Sequence, residues 1–190
     1  MATTTFTGAV RSQGGFTSVS KNSSTGAFTT LSSISSTGVS SFDANTMAVE
    51  AGTGITTGSG TIYRSAVQRV GGIITTRILI DLTGLRSTGS GDIIGVNGTA
   101  LVCHIGQITA AKNGTILTGS MECFEAPAGG DPDINIHSAT EGTGVEDGAI
   151  ADLTETLLVN AGDATLGSKV YFTAVPAADQ FLYLTTGAAT

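Results

Sequence analysis

The chain has 190 residues, a formal net charge of −7 and charged side chains at only 12% of positions, where an ordinary domain carries about 25%. Its eight lysines and arginines do not supply the clustered cations that phosphate contacts need, which excludes a nucleic-acid partner. The low charge and high apolar content argue against disorder, and no run reaches the roughly 18 apolar residues of a membrane span, so no membrane partner is expected.

The opening residues, MATTTFTGAVRS, lack a basic start followed by an apolar core. No secretory signal is predicted, and synthesis in a cytoplasm is expected. Residues 1–60 form one compositional block rich in Ser, Thr and Gly. Phe6, Phe16, Phe28 and Phe42 recur along it, and Ser23-Ser24-Thr25-Gly26 returns as Ser35-Ser36-Thr37-Gly38. A helix is disfavoured, because Ser and Thr compete for backbone hydrogen bonds and Gly costs about 1 kcal/mol against Ala. The block reads as short extended segments joined by turns, either an N-terminal arm or a small β module. An isolated arm loses about 1–2 kcal/mol of ordering entropy per residue. Such a segment is expected to order against sister molecules or a larger assembly. The four phenylalanines are the candidate interaction residues; the alternative is that they anchor the protein's own core.

AGTGITTGSGTI, residues 51–62, is a glycine-punctuated connection and marks the expected boundary with a second domain, 61–190. GGIITTRILIDLTGL, residues 71–85, carries the strongest strand pattern. Ile74, Thr76, Ile78 and Ile80 face one way, and Ile73, Thr75, Arg77, Leu79 and Asp81 the other. Apolar residues on both sides predict at least one fully buried face. Asn97-Gly98 and Asn113-Gly114 each sit between apolar runs and predict type I′ hairpin turns. PAGGDPD, 127–133, reads as a loop, and DINIHS, 133–138, as a short strand. AIADLTETLLVN, 149–160, leans to strand; SKVYFTAVP and QFLYLTT close the chain as strands, with Pro176 in the turn between them. About eight or nine short strands with almost no helix define an all-β fold, an antiparallel sandwich or jelly-roll-like barrel with an extended N-terminal arm.

Chemistry is sparse. His104 and His137 are the only histidines. His104 lies beside Cys103 in an extended run, so the two side chains face opposite sides and make a poor nucleophile–base pair. His104 reads as a satisfied structural histidine. Cys103 and Cys123 fall on neighbouring strand candidates; buried free thiols are expected, with a cross-strand disulfide as the alternative. No short Cys or His spacing suits zinc. Asp131 and Asp133 lie two apart in a Gly-rich loop, but Glu141, Glu146 and Asp147 do not complete a calcium loop. No nucleophile elbow, phosphate loop or dinucleotide fingerprint is present. No catalytic residue, metal or cofactor is expected. The basic residues concentrate between Arg64 and Arg86 while the acidic ones lie mostly after residue 120. Opposite patches of this kind suit docking between subunits, and ordinary surface charge is the plainer alternative.

Several strings occur in a distinctive order: ILIDLTGLRSTGSGDIIGVNG, HIGQITAAKNGTI, EAPAGGDPDINIHSATEGTGV and AIADLT. In these the chain resembles a family of predicted virion structural proteins of marine tailed phages, over about residues 75 to 185. The resemblance implies a virion component made in a host cytoplasm, and it supplies no catalytic residue. Combined with size, low charge and β content, it leads to the expectation of a capsid decoration (cement) protein on the capsid surface. Its partners would be the major capsid protein and further copies of itself, as a homotrimer. The alternative is a tail or fibre component with a host-surface-binding role.

Overall fold

The computed structural model describes residues 14–34, 40–42, 48–98, 100–125 and 132–187. The chain divides into two compact units, Met1–Met47 and Ala48–Thr190. Among the described residues strand far outweighs helix, 41% against 7%, so the fold is all-β.

In the first unit β1 (Phe16–Lys21), β2 (Phe28–Ile34) and β3 (Ser40–Phe42) form an antiparallel meander in chain order. The first copy of the Ser-Ser-Thr-Gly repeat is the β1–β2 loop. Asn22 holds it: its Oδ1 accepts from the N–H groups of Ser24 and Thr25 at 2.9 and 3.0 Å. Its carbonyl accepts from Gly26 N–H at 2.9 Å, and Gly26 adopts a φ of 72°. A short polar side chain that mimics a turn of backbone, followed by a residue free to take positive φ, is sufficient to reverse the strand. The second copy, 35–38, lies outside the described residues. At positions 14–28, 30, 32 and 33 of this unit every residue is exposed or half-buried.

The second unit begins at Ala48, just before the stretch that the sequence marks as a connection, and includes that stretch. Val49 and Ile55 are buried, and a one-turn helix α1 (Thr53–Thr56) seats Ile55 at 0% exposure. Next come β4 (Ile62–Val70) and β5 (Ile73–Asp81), a two-stranded antiparallel hairpin. A four-stranded antiparallel sheet is assembled from distant segments in the order β6 (Gly106–Gln107), β11 (Phe181–Thr186), β8 (Ile134–Ala139), β9 (Glu155–Val159). A ribbon pairs β7 (Ser120–Glu122) with β10 (Lys169–Tyr171). Among the described residues the sheets are small and none closes into a barrel.

The core gathers on β11. Leu182, Tyr183, Leu184 and Thr185 are all buried, so the strand is covered on both faces, as a central strand must be. Tyr183 is fully buried, yet its hydroxyl is satisfied: it donates to Glu141 O at 2.7 Å and accepts from Gly144 N–H at 3.2 Å. Backbone amides of Ile94, Ile105 and Ile108 donate to the carbonyls of Leu184, Leu182 and Gln180, which ties the irregular segments to the same strand.

Three expectations differ from what the chain builds. Asn113-Gly114 does not turn a hairpin: it ends a one-turn helix, α2 (Ala110–Asn113), capped at its start by the Thr109 side chain, with Gly114 at a φ of 65°. A glycine at positive φ serves a helix end as well as a hairpin turn. Asn97-Gly98 does turn, with Gly98 at a φ of 67°, but the turn is flanked by isolated bridges rather than paired strands. Residues 149–160 split into a 3₁₀ turn, Ile150–Asp152, followed by β9.

Gly52 and Gly54 explain how α1 reaches the core. A Cβ on Gly54 would stand 2.4 Å from Cys103 Sγ, and one on Gly52 2.2 Å from Val102 O. Gly54→Ala is expected to lower the unfolding free energy by about 1–3 kcal/mol, the cost of overpacking. Gly72→Ala, whose added carbon meets nothing within 4 Å, is expected to change it by less than about 0.5 kcal/mol. Urea unfolding midpoints of the two variants check this.

Candidate interaction surface

The β4–β5 hairpin turns at Gly71-Gly72, with Gly71 at a φ of 60°. Its register puts Tyr63 opposite Ile80, Ser65 opposite Ile78 and Val67 opposite Thr76 on one face. That face is fixed to the body. Tyr63 donates its hydroxyl to Ile105 O at 2.7 Å, Ser65 Oγ donates to Val49 O at 2.6 Å, and Asn113 Nδ2 donates to Thr76 Oγ1 at 2.8 Å. Burial pushes the Tyr63 phenol up to about 12, so it remains a donor at any physiological pH.

The opposite face pairs Ile62 with Asp81, Arg64 with Leu79, Ala66 with Arg77, Gln68 with Thr75 and Val70 with Ile73. It is uncovered. Ile62 and Leu79 are 50% and 52% exposed, and Val70 and Ile73 at the tip 78% and 72%. Ile62, Arg64, Leu79 and Asp81 border a shallow depression of about 280 Å³. The predicted division of β5 into Ile74, Thr76, Ile78 and Ile80 against Ile73, Thr75, Arg77, Leu79 and Asp81 is the observed one. The predicted full burial of a face is not, because the inward residues of β5 are only half-buried. Of the basic residues concentrated in the sequence here, Arg86 pairs with the buried Glu146 at 3.3 Å. Arg64 and Arg77 have no ion-pair partner among the described residues.

Of the candidate phenylalanines, Phe16 and Phe28 do not converge. Phe6 lies outside the described residues. Phe16 begins β1 opposite Ile34, and Phe28 begins β2 opposite Lys21, so the two occupy opposite ends of the same strand pair. Phe16 is 47% exposed and Phe28 67%, with Lys21 Nζ 5.6 Å from the Phe28 ring centre. Phe42 ends β3 opposite Ser32.

The residues weighed for chemistry are dispersed. Cys103 is buried, its thiol donating to Leu101 O at 3.1 Å, and burial pushes that thiol up to about 11. Cys123 is half-buried beyond β7, and both cysteines are free. His104 lies just before β6 rather than within a strand, its ring 4.9 Å from that of Phe181. It is not the satisfied histidine expected from sequence: its buried Nδ1 has no hydrogen-bond partner among the described residues. Desolvation by burial lowers its pKa. With Glu50, Gln107, Lys112 and Phe181 it borders a cleft of about 190 Å³. His137 Nδ1 lies 2.7 Å from Glu155 Oε2 across the β8–β9 pair. Asp131 lies outside the described residues, while Asp133 bridges to Asp163 through its backbone. Among the described residues no group of three or more His, Cys, Asp or Glu could hold a metal ion. No described helix is long and apolar enough to cross a membrane.

Comparison with known proteins finds no matching family model, no matching curated protein and no matching solved structure.

Two measurements follow from the thiol and imidazole environments. Native protein is expected to react with a thiol-specific chromogenic reagent at Cys123 alone, with Cys103 reacting only in denaturant. The His104 imidazole has its folded pKa below the ordinary 6.5, so below that value the unfolded chain binds the proton more readily. The stability that this histidine governs is complete above about pH 6.5 and is lost as pH falls through the lowered value. Urea midpoints at neutral and mildly acid pH should therefore fall less in His104→Phe than in the wild type.

Proposed function

We propose that this chain is a phage virion structural protein, a capsid decoration protein that binds the assembled shell through its first unit and acts as a homo-oligomer. The observation that carries the reading is the exposed apolar side chains of the β1–β2 strand pair in that unit. Every residue from 14 to 28 is exposed or half-buried, and Phe16, Val19 and Phe28 project at 47%, 46% and 67% exposure. A small sheet with such open strands gains little burial to offset its ordering entropy. Pressed on a second surface, each such side chain contributes about 1.5–3 kcal/mol of burial. The sparse charge of the Ser/Thr/Gly-rich block favours the same use, since little charge has to be desolvated when it is covered.

In this reading Met1–Met47 is the anchoring arm, Phe6, Phe16, Phe28 and Phe42 are its contacts to the major capsid protein, and Ala48–Thr190 is the body displayed on the capsid surface. Stabilisation follows from mass action. A protein that binds only the assembled shell stabilises it by RT ln(1 + [L]/Kd), about 2.7 kcal/mol per site at 100-fold excess over Kd. A homotrimer would add avidity, because the second and third arms bind at high effective concentration. A tail or fibre protein would use the same exposed β surface at far lower copy number.

Purified shells lacking this protein are the test. The wild type is expected to bind them at hundreds of copies per particle, and Phe16→Ser with Phe28→Ser to bind at least about tenfold more weakly, about 1.4 kcal/mol. Unchanged occupancy by the double variant removes the arm's role. A copy number of a few dozen in intact virions assigns the protein to the tail instead.

A further inference from the structure

The outer face of the hairpin is an exposed apolar surface of the second unit. Among the described residues its two nine-residue strands pair only with each other. Long, apolar, open strands of this kind are templates for association unless charge blunts them. Here the charge has a direction. The hairpin carries Arg64, Arg69, Arg77 and Asp81 in a chain of net charge −7. Arg64 and Arg77 stand on the uncovered face, between Ile62 and Leu79 and the apolar tip.

A surface of matching character lies elsewhere in the same unit. Strand β9 is a terminal strand of the four-stranded sheet. Glu155 and Thr156 are exposed and Leu157 is 37% exposed, and Asp152 is exposed in the 3₁₀ turn just before. One surface thus sets arginines around aliphatic side chains, and the other sets carboxylates beside an aliphatic side chain. Asp152 has no ion-pair partner among the described residues.

We propose that the outer face of the β4–β5 hairpin docks on the acidic β9 edge of a second copy of this chain. The inference rests on the oligomeric part of the reading above and gives that oligomer its surface. The contact joins two different patches, so it is heterologous. Repeated, it closes into a ring if the rotation allows, as in a trimer, or else grows as a filament. The apolar side chains supply burial, and the arginines and carboxylates set register and partner choice.

Sedimentation of the full chain, without shells, tests the proposal. The wild type is expected to associate at micromolar concentration, and less so when salt rises from about 0.05 M to about 0.5 M, since exposed charges are screened. Arg64→Glu with Arg77→Glu, and separately Asp152→Arg with Leu157→Arg, should each sediment as monomers. Mixing the two variants should restore association, because each now carries the complement of the other's altered face. All four substitutions are at exposed or partly exposed positions, and circular dichroism should confirm an unchanged fold. A monomeric wild type, or pairs of variants that associate as it does, overturns the proposal. If the hairpin variant still self-associates but no longer binds shells, the face belongs to the shell contact: the inference fails while the decoration reading stands. If self-association follows the prediction and shells are not bound, the inference stands and the decoration reading fails.

Discussion

Everything in the second unit depends on one strand being covered on both faces. β11 carries Leu182, Tyr183, Leu184 and Thr185 into the core and pairs with both β6 and β8. A chain as glycine-rich as this one cannot order its irregular segments by local preference. They are ordered because amides at 94, 105 and 108 find carbonyl partners along β11 or just before it. Burying Tyr183 adds a second tie, since a phenol inside a core needs a partner for its hydroxyl. Glu141 O and Gly144 N–H meet that need and thereby fix the loop between β8 and β9.

The two units treat apolar surface differently. The second places its bulky residues around β11 and leaves the outer side of one hairpin bare. The first leaves Phe16, Val19 and Phe28 exposed. Low charge makes both choices consistent with assembly, because the cost of covering a surface rises with the ions that must be stripped of water. The arginines of the hairpin and the carboxylates near β9 are few enough to steer an approach without opposing burial.

Much of the fold was legible where burial alternates. The faces of β5 follow directly from Ile74, Thr76, Ile78 and Ile80, and the closing strands from their dense apolar runs. β4 was not legible, although Tyr63, Ser65 and Val67 face in and Arg64, Ala66 and Gln68 face out, because size and polarity do not alternate with them. Asn-Gly pairs report a residue at positive φ and not what precedes it, so the Ala-Ala-Lys run before Gly114 became a helical turn. α1 was hidden for another reason. Glycine reads as a breaker in sequence, whereas Gly52 and Gly54 are there for close approach, which only the tertiary structure reveals. The candidate site was half legible. The cluster of arginines stood out, but the apolar residues beside it read as core, and a strand pattern cannot say which of its faces a neighbour will cover.

The sulfur of Cys103 has a consequence beyond its inertness. Cβ atoms added at Gly54 and at Gly95 would stand 2.4 and 2.3 Å from it. Three chain segments therefore share one small volume, and each position sets the size allowed at the other two. Shrinking the thiol to a methyl group would release room for a methyl at one of the glycines. Across descendants of this sequence, residues 54, 95 and 103 should drift as a linked trio, each tolerating change only in the company of the others.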